Sequence, residues 1–148
     1  MQWSTFHYLL VVQMKPKHFS QWAAQFAVAS ELCKRDYDVA FTMGNATPLA
    51  DLMVLSPGKR SFLIDVKGQR TGNVWLVKER MEIRDDLFYV FTLVPPGKPN
   101  RYFVLSHAGV HDLMEHYKNS GVKFDPRFPG FNWTACHPFE DRWDLLPA

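Results

Sequence analysis

The sequence predicts one α/β domain, with a mixed central sheet flanked by helices. Three observations carry that expectation. Two apolar runs, Asp51-Leu52-Met53-Val54-Leu55 and Phe62-Leu63-Ile64-Asp65-Val66-Lys67, flank the turn-like segment Ser56-Pro57-Gly58-Lys59-Arg60. This is the pattern of a β-hairpin. Leu87 to Val94 is almost wholly apolar, which suits a strand buried on both faces. Stretches of helical period lie before and after these strands, at 20–35 and 108–119.

In chain order, Ser20 is placed to cap the first helix, which runs to about Arg35. At about 100° per residue, Trp22, Gln25, Phe26, Val28, Ala29, Leu32 and Cys33 share one face. Gln25 lies near the middle of that apolar stripe. Glu31 falls on the polar side with Ala24, Ala27 and Arg35. Tyr37 to Thr42 reads as a strand and Gly44 to Pro48 as a loop, followed by the hairpin. Gly68 to Gly72 breaks the chain before the short apolar segment Val74-Trp75-Leu76-Val77, and residues 78–86 are densely charged. After the long apolar strand, Pro95 to Asn100 turns the chain and Arg101 to Leu105 returns as another strand. Ser106 caps a second helix, from about Ala108 to Asn119. The tail, 120–148, has no clear period.

With 148 residues, 47% of them hydrophobic, the chain can bury a core and is not a disordered segment. The net charge of +2 advertises no partner, but its distribution does. Between Lys59 and Arg84 lie seven basic residues (59, 60, 67, 70, 78, 80 and 84) and three acidic ones (65, 79 and 82). A local basic surplus suits a phosphate backbone, or is simply a solvated hairpin. Cys33 and Cys136 form no metal-ligand spacing and are expected as reduced thiols in a cytoplasmic protein. The apolar run Tyr8 to Val12 has no basic leader and is too short to span a membrane. Residues 1–13 are read as an edge strand or an N-terminal extension, because Met14-Lys15-Pro16-Lys17 resembles a second translation start.

The chemistry concentrates on the hairpin. Asp51, Asp65 and Lys67 would lie close together on its adjacent strands. Acids inside apolar strands are costly unless they are paired or bound to a cation. Two carboxylates and a carbonyl suffice for Mg²⁺, which prefers hard oxygens and keeps several waters. A lysine beside them can stabilise the charge that grows on a phosphoryl group. Gln69 continues the face of Asp65 and Lys67 by twos. It either contacts a metal-bound water or phosphate, or is a polar strand-end residue.

The order helix, strand, Asp-bearing strand, then a strand ending in acid-x-Lys resembles the PD-(D/E)XK nuclease superfamily. The closest resemblance is to its Holliday-junction-resolvase-like and restriction-endonuclease-like members. The segments that carry it are Val28 to Val39, Gly44-Asn45 with Ala50-Asp51-Leu52, and Ile64-Asp65-Val66-Lys67-Gly68. It covers about residues 20–105 and implies a restriction-endonuclease-like fold. It also implies that Asp51, Asp65 and the Val66 carbonyl hold Mg²⁺ or Mn²⁺. Lys67 would orient or activate the attacking water, and DNA would be the substrate. In that pattern the first helix supplies a glutamate, but the matching position, seven before Leu32, is Gln25. Gln25 therefore stands in for an acid, or Glu31 swings in to replace it, or the chain keeps the fold and binds nucleic acid or a protein partner without cutting. A two-fold homodimer would place two sites across a duplex or junction.

Other constellations point elsewhere or nowhere. His107, His111 and His116 lie with Asp112 and Glu115 on the second helix, but without HExxH they read as exposed or capping groups. There is no P-loop, no GxGxxG and no serine nucleophile elbow. Trp75, Tyr102, Trp133 and Trp143 are expected mainly in the core, with base stacking as the alternative.

Overall fold

The computed structural model describes residues 18–43, 49–80 and 82–148. Helix α1 (His18–Cys33) leads into β1 (Asp38–Phe41), β2 (Leu52–Leu55) and β3 (Ser61–Gln69). Next come β4 (Val74–Leu76), β5 (Leu87–Leu93), β6 (Arg101–Ser106) and α2 (His107–Asn119). Strand β7 (Gly130–Asn132) and two 3-10 turns, Trp133–Phe139 and Trp143–Leu145, complete the chain. The main sheet has the order β1-β2-β3-β5-β6. Strands β1 to β3 form an antiparallel meander, β5 runs parallel to β3, and β6 is antiparallel to β5. Strand β4 leaves this sheet and pairs with β7. This is the mixed α/β architecture that the sequence predicts.

Side-chain alternation along the strands divides the core in two. Phe62, Ile64 and Val66 of β3 and Phe88 and Val90 of β5 pack with Ala24, Val28 and Leu32 of α1. Leu87, Tyr89, Phe91 and Leu93 of β5 face the other way, with Val110 and Met114 of α2. Strand β5 therefore has no polar face, and all seven of its residues are buried. The hairpin turn closes with Lys59 at φ 67° and Ser56 N–H donating to the Arg60 carbonyl at 2.9 Å. Ser106 caps α2 as expected, its Oγ accepting from Gly109 N–H at 3.0 Å.

Three expectations are corrected. Ser20 does not cap α1, because the helix already includes His18 and Phe19. The helix ends at Cys33, and Asp36 takes φ 63° while Tyr37 N–H returns to the Leu32 carbonyl at 3.2 Å. A short acidic residue tolerates that left-handed position. The buried stripe of α1 is Ala24, Gln25, Val28, Ala29 and Leu32. Trp22, Phe26 and Cys33, assigned to that stripe, are exposed, and Ala24, assigned to the polar side, is fully buried. Trp22 instead stacks on Phe26, which leans on Phe41. The tail lacks a period because it folds as a three-residue strand and 3-10 turns. Its Trp143 and Leu146 enter the core. The readings of the Tyr8–Val12 run and of the Gly44–Pro48 loop fall outside the described residues. No described helix is long and apolar enough to cross a membrane.

The helix–sheet contact explains the stripe. A Cβ at Gly68 would sit 2.5 Å from Ala24 Cβ and 2.6 Å from the Ser20 carbonyl oxygen. Small residues on both sides let α1 lie directly on the end of β3. Gly68→Ala is expected to cost about 1–3 kcal/mol through overpacking, measured as a lower urea midpoint. A midpoint equal to wild type would show that the helix does not rest there.

Candidate functional site

The sheet register creates an opening. Strand β2 begins at Leu52, opposite Ile64, whereas β3 runs on to Gln69. Among the described residues, the edge of β3 that faces β2 has no strand partner beyond Ile64, and buried backbone groups need one. Side chains supply it. Asp51, just before β2, accepts from Val66 N–H at 2.8 Å through Oδ2. Gln21 of α1 donates Nε2–H to the Val66 carbonyl at 2.7 Å and accepts from Gly68 N–H at 3.1 Å. One side-chain amide thus replaces the donor and acceptor of a missing strand.

Gln25 lies one turn along the same helix. It is buried and donates to Asp51 Oδ1 at 2.9 Å. Glu31 points away and pairs at the surface with Lys34 at 2.8 Å and Arg35 at 2.6 Å. Burial holds the Asp51 carboxyl above the ordinary carboxylate range. The Val66 N–H opposes that shift, nearby Asp65 adds to it and Lys67 lowers it. Asp51, Asp65 and Lys67 therefore share one electrostatic neighbourhood.

Asp65 lies on the β3 face opposite Ile64 and Val66 and is 7% exposed. It is held by two cations, Lys67 at 2.7 Å on Oδ1 and Arg80 at 3.3 Å on Oδ2. Arg80 also donates to the Leu49 carbonyl at 2.8 Å. Gln69 braces the chain after β3, donating to the Val74 carbonyl at 2.8 Å. Its Oε1 is buried without a partner, and among the described residues no hydrogen bond joins Gln69 to the acids.

The donor set suits a hard cation: two carboxylates and the Val66 carbonyl, with side-chain amides beside them. Among the described residues no group of three His, Cys, Asp or Glu is placed to hold a metal ion. Every oxygen of Asp51 and Asp65, and the Val66 carbonyl, already accepts from the protein. Each of these oxygens has a second lone pair, so a metal ion would share them with Gln21, Gln25, Lys67 and Arg80 or displace one of those donors.

Gln21 and Arg80 were missed in the sequence. The wheel that placed Gln25 inward puts Gln21 one turn earlier on the same side, which was the available signal. Arg80 follows a twelve-residue excursion after Lys67 that carries no periodic pattern. The basic surplus also divides. Lys59 and Arg60 occupy the hairpin turn at the far end of β3, roughly 20 Å from Lys67 at the usual strand rise. Arg80 and Arg84 are paired with Asp65 and Asp86. Arg70 and Lys67 line one groove with Gln21, Gln69 and Asn73, of about 480 Å³. His107 is buried and accepts from Arg84 N–H at 3.0 Å. Trp75 and Trp143 are buried in the core.

Comparison with protein-family models, curated proteins and solved structures finds no significant match. Function therefore has to be argued from the site itself.

The raised Asp51 carboxyl has a signed consequence in the metal-free protein. The folded form holds that proton more tightly than the unfolded chain does. Its contribution to stability is greatest below the unfolded value and declines as pH rises through the folded one. Carbon-detected NMR should show Asp51 titrating above Asp86 and Asp144, whose arginine partners lower them. Asp51 titrating at or below those two would contradict the burial described.

Proposed function

We propose that the protein is a Mg²⁺- or Mn²⁺-dependent endonuclease-like enzyme of restriction-endonuclease-like fold that hydrolyses phosphodiester bonds in DNA. One observation carries this reading. Where β3 outruns β2, Asp51 is held by Gln25 of α1 and the Val66 amide, and the Asp65–Lys67 pair on the other face of β3 lies within its electrostatic reach. The meander β1–β3 followed by a strand parallel to β3 supports the resemblance to PD-(D/E)XK nucleases. Strand β4 and the loop segments around it occupy the crossover between the parallel strands.

Asp51, Asp65 and the Val66 carbonyl would hold the ion, with waters filling its remaining positions. When bound, the ion lowers the pKa of a coordinated water and polarises the phosphoryl oxygen. The protein's own groups do the rest. Lys67, held at Asp65, would stabilise the charge that develops on the phosphoryl oxygens. Gln25 orients Asp51 without adding a charge, so cation affinity is lower than a third carboxylate would give. Arg70, beside Lys67 in the same groove, is available to the flanking phosphates.

A second reading is favoured by a specific observation. Asp65 is already neutralised by two cations and Asp51 is hydrogen-bonded by amides, as they would be in a module that keeps this fold and binds nucleic acid without cutting it.

The two readings separate on purified protein incubated with duplex, junction and single-stranded DNA in Mg²⁺ or Mn²⁺. The enzyme reading requires metal-dependent cleavage that Lys67→Ala lowers by about two orders of magnitude, as for loss of one charge-stabilising donor. Binding without cleavage by the wild type would favour the second reading. Gln25→Glu should tighten Mn²⁺ binding in calorimetry, because a carboxylate adds the charge that an amide lacks. An unchanged affinity would reduce Gln25 to a packing residue.

A further inference from the structure

Arg80 is the least expected member of the cluster. The motif supplies its own cation in Lys67, which already neutralises Asp65 at 2.7 Å. Arg80 brings a second charge to the other oxygen of the same carboxylate. Its guanidinium is held there by the Leu49 carbonyl, and its side chain is only 19% exposed. Asp51 and Asp65 are then balanced by Lys67 and Arg80, and the site carries no surplus negative charge to attract a divalent ion.

Arg80 has somewhere to go. It lines a cavity of about 320 Å³ between the segment after β4, strand β5 and α2, with Glu79, Tyr89, His107 and Glu115. The carboxylates of Glu79 and Glu115 are paired with Lys118 there. Lys78, His111 and Lys118 complete the charged lining. A guanidinium released from Asp65 would remain in an open cavity that charged side chains share with the apolar Val77, Val110 and Met114.

We propose that Arg80 is a built-in counter-ion that competes with the divalent metal for Asp65, so that the metal loads together with a phosphodiester rather than ahead of it. This rests on the metal-dependent nuclease reading and names the regulation of that site. In the free protein Arg80 keeps Asp65 neutralised and metal affinity low. A phosphodiester would add negative charge that favours the cation at this site, and it would give a displaced guanidinium an anionic partner. Ion and nucleic acid consequently bind with reciprocal positive coupling. Arg80 is a positioning residue, since it acts through Asp65.

The test is Mn²⁺ affinity by calorimetry, without substrate, in wild type, Arg80→Gln and Arg80→Lys. Glutamine keeps a donor for the Leu49 carbonyl and drops the charge, whereas lysine keeps the charge. Arg80→Gln should bind Mn²⁺ roughly tenfold more tightly or better, as expected for removal of one charge-assisted competitor. Arg80→Lys should stay near wild type. A phosphorothioate oligonucleotide should tighten Mn²⁺ binding in wild type and do so less in Arg80→Gln. Equal or weaker Mn²⁺ binding by Arg80→Gln overturns the proposal. If Arg80→Gln melts early, NMR of the wild type decides: the Arg80 Nε–H signal must move when Mg²⁺ and the phosphorothioate oligonucleotide are added together, and a signal unmoved by the pair overturns it. Wild type that binds Mn²⁺ no less tightly than Arg80→Gln sinks this inference alone. Absence of Mn²⁺ binding in every variant sinks the nuclease reading with it. Tighter binding without DNA cleavage leaves Arg80's role standing and removes hydrolysis.

Discussion

The structure depends on a mismatch in strand length. Strand β3 continues past the start of β2, and among the described residues its unpaired edge is satisfied by side chains rather than by a strand. Asp51 and Gln21 satisfy it, and Gln25 then fixes Asp51 from above. That requirement draws α1 onto the sheet, where Gly68 and Ala24 leave just enough room. The same edge positions Asp51 and leaves the Val66 carbonyl to Gln21. Fold and candidate site are one solution to one hydrogen-bonding problem. A buried, half-satisfied edge would cost more than the site's polar groups do.

Electrostatics sets the character of the cluster. Buried carboxylates are tolerated because each has a specific partner. Asp51 relies on dipoles, from the Val66 amide and two glutamines, and burial leaves its carboxyl raised. Asp65 relies on charges, from Lys67 and Arg80. Two neighbouring acids are thus held by different physics. One is readily reoriented by a cation that outcompetes amide donors. The other must exchange one positive partner for another.

Much of this was legible in the sequence, and the failures have physical causes. The hairpin, strand β5 and the capped α2 follow from local alternation and capping, which tertiary context left intact. The inward position of Gln25 and outward position of Glu31 followed from helical period alone. The same wheel misplaced Ala24, Trp22 and Phe26. Hydrophobicity does not report how closely two backbones approach, and at Gly68 only a small side chain fits. Gln21 was silent because its role exists only where β3 outruns β2, and strand ends are set by pairing rather than composition. Arg80 was silent because an excursion without period returns it to Asp65. The basic surplus overstated a patch, since β3 carries its two ends far apart and two of its arginines serve as ion-pair partners.

The most direct measurement of the central claim is a Mn²⁺ titration followed by paramagnetic broadening in amide NMR spectra. If Asp51, Asp65 and the Val66 carbonyl hold the ion, the backbone amides of Val66 and Lys67 and the side-chain amides of Gln21 and Gln25 broaden first and together. Broadening confined to the surface acids Asp112 and Glu115, or no selective broadening at any site, would contradict the account.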